Sequence, residues 1–138
     1  MKVLFVCRAN VGRSQMADAL FKKYSKNNES RSAGTEVNDK EGQIIGQNEK
    51  ARHVWEVMDE EGMDVRDYKR TQLTPELVNW ADKVFVITEK EFCPDYLLES
   101  HKSTYWHILD AKGTDYETHI KTRNEIKKRI EELVSKIG

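Results

Sequence analysis

The stretch Lys2-Val3-Leu4-Phe5-Val6-Cys7-Arg8-Ala9-Asn10-Val11-Gly12-Arg13-Ser14 decides how this chain is read. Lys2 to Cys7 is an apolar run, rich in β-branched and aromatic residues, that stops abruptly at polar ones. That pattern predicts a strand buried on both faces. From Ser14 to Tyr24 the period changes. Met16, Ala17, Leu20, Phe21 and Tyr24 fall on one helical face, with Asp18, Lys22 and Lys23 elsewhere. Arg8 to Arg13 is then a tight strand-to-helix loop. In open parallel sheets, ligands sit at such places, where the carboxyl end of a strand feeds a helix N-terminus.

The loop has the chemistry of an oxyanion cradle. Successive backbone N–H groups from Arg8, Ala9, Asn10, Val11 and Gly12 can converge on one centre as a nest. The helix opening near Ser14 adds its positive dipole end. Arg13 adds a planar fork that matches two oxygens of a phosphate-like group. Gly12 is expected to supply a backbone conformation that a residue with a Cβ resists. Cys7 stands at the lip of this positive field, where a thiolate nucleophile is stabilised. No Gly-Lys-[Ser/Thr] occurs, so this is not the loop of an ATP- or GTP-binding protein.

Outward from this loop the elements alternate. Asn27 to Arg31 reads as a turn, Ser32-Ala33-Gly34-Thr35 as the end of a second strand, and Glu36 to Gly46 as an exposed loop. Ala51, Val54, Trp55 and Met58 recur at helical spacing, and Gly62 is placed to end that helix in a left-handed cap. Thr74-Pro75 opens another helix, with Leu77 and Trp80 facing inward. Lys83 to Thr88 and Thr104 to Leu109 read as strands. Thr114 to Glu117 reads as a capping box before a last helix with Ile126, Ile130, Leu133, Val134 and Ile137 on one face. The order strand, helix, strand, helix, helix, strand, strand, helix predicts an α/β fold. Its expected form is a four-stranded, mainly parallel sheet flanked by helices on both faces, in one domain over residues 1–138.

Composition narrows the function classes. The 138 residues carry 23 Lys plus Arg against 24 Asp plus Glu, a net charge of -1, which argues against a general nucleic-acid binder. No apolar run approaches the roughly 18 residues of a membrane span. The N-terminal apolar stretch is too short for a signal peptide, so a cytoplasmic location is expected. Only Cys7 and Cys93 are present, which excludes a disulfide framework or a four-cysteine zinc site. His53, His101, His107 and His119 show no metal spacing.

At these residues the chain resembles the low-molecular-weight protein tyrosine phosphatases, which share their fold with the thioredoxin-coupled arsenate reductases. Cys7-x5-Arg13-Ser14 matches the family's phosphate loop, and Asn10 stands where the family has its loop-bracing Asn. Met16-Ala17 fits the pattern that follows, with Gln15 in place of Pro and Asp18 in place of Glu. Ser32 to Thr35, Gly62-Met63-Asp64, Arg70-x2-Leu73, Ala81-Asp82 and the Val84 to Ile87 strand are similar in order and spacing. The resemblance spans nearly the whole chain.

The resemblance implies a phosphomonoester hydrolase working through a cysteinyl-phosphate, with Cys7 as nucleophile and Arg13 as oxyanion clamp. Arg8, Ala9, Asn10, Val11, Gly12 and Ser14 are the expected substrate-binding residues. The general acid comes from an Asp-Pro pair before the last helix; here Asp110-Ala111 holds that place, with Asp115 as the fallback acid. Loss of the Pro removes a rigid φ, and the two Tyr that often follow it are missing. Expected substrates are a phosphorylated protein or a small aryl phosphate, with no cofactor and no metal. One alternative is arsenate reduction by Cys7 with Cys93 or an external thiol, thioredoxin or a small thiol then being the partner. The related three-cysteine relay is impossible with two cysteines. A second alternative is a non-catalytic phosphate-binding module.

Overall fold

Alternation along the first strand divides the interior in two. In β1 (Lys2–Cys7) every residue after Lys2 is buried. Val3 and Phe5 enter one apolar cluster, and Leu4 and Val6 enter the other, as the period of two requires. The computed structural model describes residues 1–138. After β1 come α1 (Arg13–Tyr24), β2 (Glu29–Gly34), α2 (Arg52–Asp59), α3 (Pro75–Trp80), β3 (Lys83–Val86), α4 (Asp95–Leu98), β4 (Ser103–Tyr105) and α5 (Tyr116–Ile137), with short 3-10 turns between some of them.

The sheet runs β2-β1-β3-β4, and every pairing is parallel. This is the α/β architecture expected, with a four-stranded sheet between helical layers. On one face, Met16, Leu20 and Phe21 of α1, Val57 and Met58 of α2, and Ile126 and Ile130 of α5 close over Phe5 and Phe85. On the other, Val78 of α3 and Leu97 of α4 cover Leu4, Val84 and Val86. The chain leaves β1 to build β2 on one side, then returns to build β3 on the other. The crevice beyond the carboxyl ends of β1 and β3 is therefore the switch point where this architecture binds ligands. Cys7 ends β1 at that point.

Several boundaries differ from the sequence expectation. The polar run Asn27 to Arg31 is not all turn, because Glu29 to Arg31 pair with Lys2 to Leu4. As an edge strand, β2 keeps polar residues on its solvent side, and tertiary pairing overrides composition. β3 is shorter than expected, although Ile87 N–H still donates to Val6 O at 2.6 Å. β4 ends at Tyr105, after which Trp106 bonds once more to Val86 O and the backbone leaves the sheet. The short α4 was not legible. Leu77 and Trp80 pack against the second apolar cluster as expected but stay half-buried, and Val78 is the residue of α3 buried within it. Trp80 lies under Arg31, whose guanidinium sits 4.4 Å from the ring centre. Gly62 does end the second helical segment, at φ +74, with Met63 N–H donating to Met58 O. No helix is long and apolar enough to cross a membrane.

Candidate active site

Cys7 lies at the base of a cleft of about 240 Å³, with its side chain buried. Its Sγ is 2.9 Å from Ser14 Oγ, on the first turn of α1. Asn10 Nδ2 donates to the same Ser14 oxygen at 2.7 Å, which leaves the hydroxyl proton free to point at sulfur. Asn10 itself has φ +56, a left-handed conformation that Asn tolerates better than most residues. Gly12 has φ -105 and ψ -85, outside the regular helical and extended regions but at negative φ, and a Cβ there would make ordinary contact with Val54 and Met16. The strained position of the loop is Asn10.

The loop is held from behind. Asn10 Oδ1 accepts from Thr71 N–H at 2.8 Å and from Gln15 Nε2 at 3.0 Å. Gln15 Nε2 also donates to Asn10 O and Lys69 O, and its Oε1 accepts from Ser32 Oγ. Arg70 Nε donates to Ala9 O at 3.0 Å. Gly34, at the end of β2, packs directly on the loop. A Cβ there would come within 2.7 Å of Arg8 O and 2.8 Å of Asn10 N, so this position excludes a side chain. Asn10 and Ser14 thus stand behind the cradle as braces, while Cys7, Ala9, Val11, Gly12 and Arg13 line it.

Arg13 is only 4% exposed. Its Nη1 donates to Ile108 O at 3.0 Å and to Glu89 Oε1 at 3.4 Å, and its Nη2 lies 3.7 Å from Asp110 Oδ2. Glu89 was not singled out from sequence. Burial raises the affinity of its carboxyl for a proton, but its own backbone amide, the Arg13 charge and Thr88 outweigh this and hold it below the usual carboxylate range. Asp110 lies on the cleft rim with its side chain about half exposed, and its Oδ1 accepts from Lys112 N–H at 3.0 Å. Trp106 and Ile108, buried just upstream, root this segment in the core.

Three expected site residues are engaged elsewhere. Arg8 does not line the cleft: its Nε donates to Glu36 Oε1 at 3.0 Å and its guanidinium stacks 3.8 Å from the Phe92 ring centre. Asp115, the fallback acid, caps α5. Its Oδ1 accepts from Thr118 Oγ1 and Thr118 N–H, hydrogen bonds that favour its carboxylate form, and it does not line the cleft. The helix cap is therefore Asp115 and not Thr114. Cys93 packs against the second apolar cluster with its thiol on Glu89 O at 3.5 Å, and burial followed by the Glu89 charge pushes that thiol up. It does not line the cleft, and both cysteines are free thiols.

The walls hold residues that spacing alone did not reveal: Lys40, Lys50, Arg70 and Lys112 as cations, with His119 deeper in. His119 is buried, and its Nδ1 sits 2.8 Å from Asp115 O, which fixes the proton on that nitrogen. Lys40 and Lys50 come from the segment between β2 and α2, Arg70 from the segment before α3, Lys112 from the segment that carries Asp110, and His119 from the first turn of α5.

A thiol at a strand end, cradled by a loop that opens a helix and faced by an arginine and a carboxylate, defines a class of phosphate-handling site. The family model described as low molecular weight phosphotyrosine protein phosphatase matches residues 2–138. The chain belongs to that family. Among solved structures it is similar to the YwlE arginine phosphatase from Geobacillus stearothermophilus, with 28% identity over 99% of this chain and 92% of that one, at a TM-score of 0.81. It is similar to the low molecular weight protein tyrosine phosphatase from T. tengcongensis, with 28% identity over 99% of both chains and a TM-score of 0.79. It is also similar to an arsenate reductase from Archaeoglobus fulgidus, with 28% identity over 96% of this chain and 98% of that one, at a TM-score of 0.72. No curated protein matches the chain.

Proposed function

We propose that this chain hydrolyses phosphomonoesters through a phosphocysteine on Cys7, with phosphotyrosine in proteins as the substrate class. The observation that carries the reading is that Cys7, Arg13 and Asp110 line one cleft, with Arg13 Nη2 3.7 Å from Asp110 Oδ2. The Cys7 thiolate attacks phosphorus in line, forming the S–P bond as the P–O bond to the leaving group breaks. Arg13 and the loop amides hold the equatorial oxygens, where charge gathers in the transition state. Asp110, protonated at the outset, gives its proton to the departing phenoxide. As a carboxylate it then takes a proton from the water that attacks phosphorus, and Cys7 leaves as a thiolate hydrogen-bonded by Ser14. A nucleophilic thiol suits the reducing cytoplasm, where it stays unoxidised.

Arsenate reduction is less well supported. It needs a resolving thiol, and Cys93 lies outside the cleft with its thiolate disfavoured, so that thiol would have to come from an external partner. A pure binding module would need neither a cysteine at the base of the cleft nor a carboxylate at its rim. An arginine phosphatase is among the similar structures, but the cations on this cleft oppose a guanidinium leaving group. The test is steady-state hydrolysis of an aryl phosphate, expected in the wild type and abolished in Cys7→Ser. Full turnover in Cys7→Ser would sink the mechanism.

A further inference from the structure

The molecule keeps most of its buried or half-buried cations beside carboxylates. Arg123 meets Glu60 at 2.8 Å, Lys127 meets Glu61 at 3.1 Å, and Arg13 has Glu89 and Asp110. The cleft breaks this habit. Arg70 is the buried exception here, and the exposed side chains of Lys40, Lys50 and Lys112 line the same walls; none of the four has a carboxylate oxygen within 4.0 Å. Arg70 is the telling member, because it is only 6% exposed. Its hydrogen bonds go to neutral oxygens, Ala9 O at 3.0 Å and Gln43 Oε1 at 2.7 Å. A buried guanidinium with no carboxylate in contact is costly unless an anion completes it. Asp110 is the one carboxylate on the cleft wall, Asp39 and the Cys7 sulfur act on Arg70 only from beyond contact distance, and in the hydrolase reading Arg13 and the loop amides are taken by the reacting phosphoryl group.

We infer that the unpaired cations Arg70, Lys40, Lys50 and Lys112 form a second anion subsite, so that the preferred substrate carries a further negative group close to the phosphoryl group it loses. In a protein this is a phosphorylated side chain flanked by Asp or Glu. The inference rests on the hydrolase reading and deepens it. A rim of cations favours an acidic partner before and during reaction alike, so its effect falls on KM more than on kcat. It also speeds encounter in a manner that salt screens.

The test uses two phosphotyrosyl peptides that differ only in Glu or Gln on either side of the phosphorylated residue, with a plain aryl phosphate beside them. For the wild type the Glu peptide is expected to have a kcat/KM higher by about tenfold at low salt, mostly through KM, shrinking as ionic strength rises. In Lys50→Gln/Lys112→Gln the ratio of Glu to Gln peptide should fall to within about threefold. Equal kcat/KM for the two peptides in a wild type that turns over the plain aryl phosphate would overturn the subsite and leave the hydrolase reading standing. A preference for the Gln peptide would do the same. No turnover of the plain aryl phosphate would overturn the hydrolase reading, and the subsite with it.

Discussion

The loop that carries the nucleophile and the loop that carries the acid meet across one cleft, but they are built differently. Residues 7–14 are tied to three other parts of the chain: to Ser32 on β2, to the Arg70 side chain and Thr71 backbone before α3, and to Gln15 on α1. The segment around Asp110 is rooted in the core by Trp106 and Ile108, then runs out to the surface. Leu109 is 85% exposed, and the hydrogen bonds of Asp110 and Ala111 stay local, to Lys112 and Thr114. The contrast follows from the chemistry. A cradle must hold N–H groups in place before charge develops, since donors that must reorient give back much of their benefit. An acid that serves two steps as donor and acceptor can work from a segment with fewer ties.

This difference can be tested by attacking each side. Arg13 belongs to both, since it lines the cradle and touches Ile108 and Asp110. Arg13→Lys keeps the charge but loses the fork, and should lower kcat by about 10³-fold with KM little changed. Retention of more than a tenth of kcat would mean the fork is not aimed at the transition state. Asp110→Asn should cost about 10²–10³-fold with a phenol of high pKa, and much less with a nitrophenol that needs no proton. An equal loss with both leaving groups would remove Asp110 from the role of acid.

Asn10→Ala strikes the brace rather than the chemistry. It leaves Thr71 N–H without its acceptor, takes the Oδ1 acceptor from Gln15 Nε2 and the Nδ2 donor from Ser14, and replaces a residue at positive φ. Denaturant unfolding should show a loss of about 1–3 kcal/mol, with activity down by about tenfold. Unchanged stability would show that the cradle does not depend on this network. The smallest effect is expected on the other loop. Ala111→Pro restores a fixed φ without removing a backbone hydrogen bond, and should move stability by no more than about 1 kcal/mol while raising kcat about two- to threefold. A fall in both would mean that the acid segment is already as ordered as its task demands.

Legibility in the sequence followed locality. Cys7, Arg13 and the start of α1 lie within one short stretch, where a buried strand, a loop and a helical period follow one another without interruption. Asp110 was reachable because the resemblance marks its place before the last helix. What stayed hidden was assembled at a distance. Glu89 reaches Arg13 from beyond β3, and Arg70 reaches Ala9 from the segment before α3. No spacing rule links residues that only the sheet topology brings together. Two differences were local. Gly12 drew attention because glycine tolerates unusual backbone, yet the positive φ belongs to Asn10, which a side-chain network holds in place. Thr114 fitted a capping box, but Asp115, one residue on, has the side chain that reaches Thr118 N–H.

The central claim is that phosphoryl transfer passes through Cys7. It is tested most directly by mixing Asp110→Asn with an aryl phosphate whose leaving group needs no proton, quenching under denaturing conditions, and mapping the phosphoryl group by mass spectrometry. With the second step slowed, the account predicts one phosphoryl group on the peptide that contains Cys7, and none when Cys7→Ala is added. Turnover with no covalent phosphoryl group, or with one on any other residue, would contradict it.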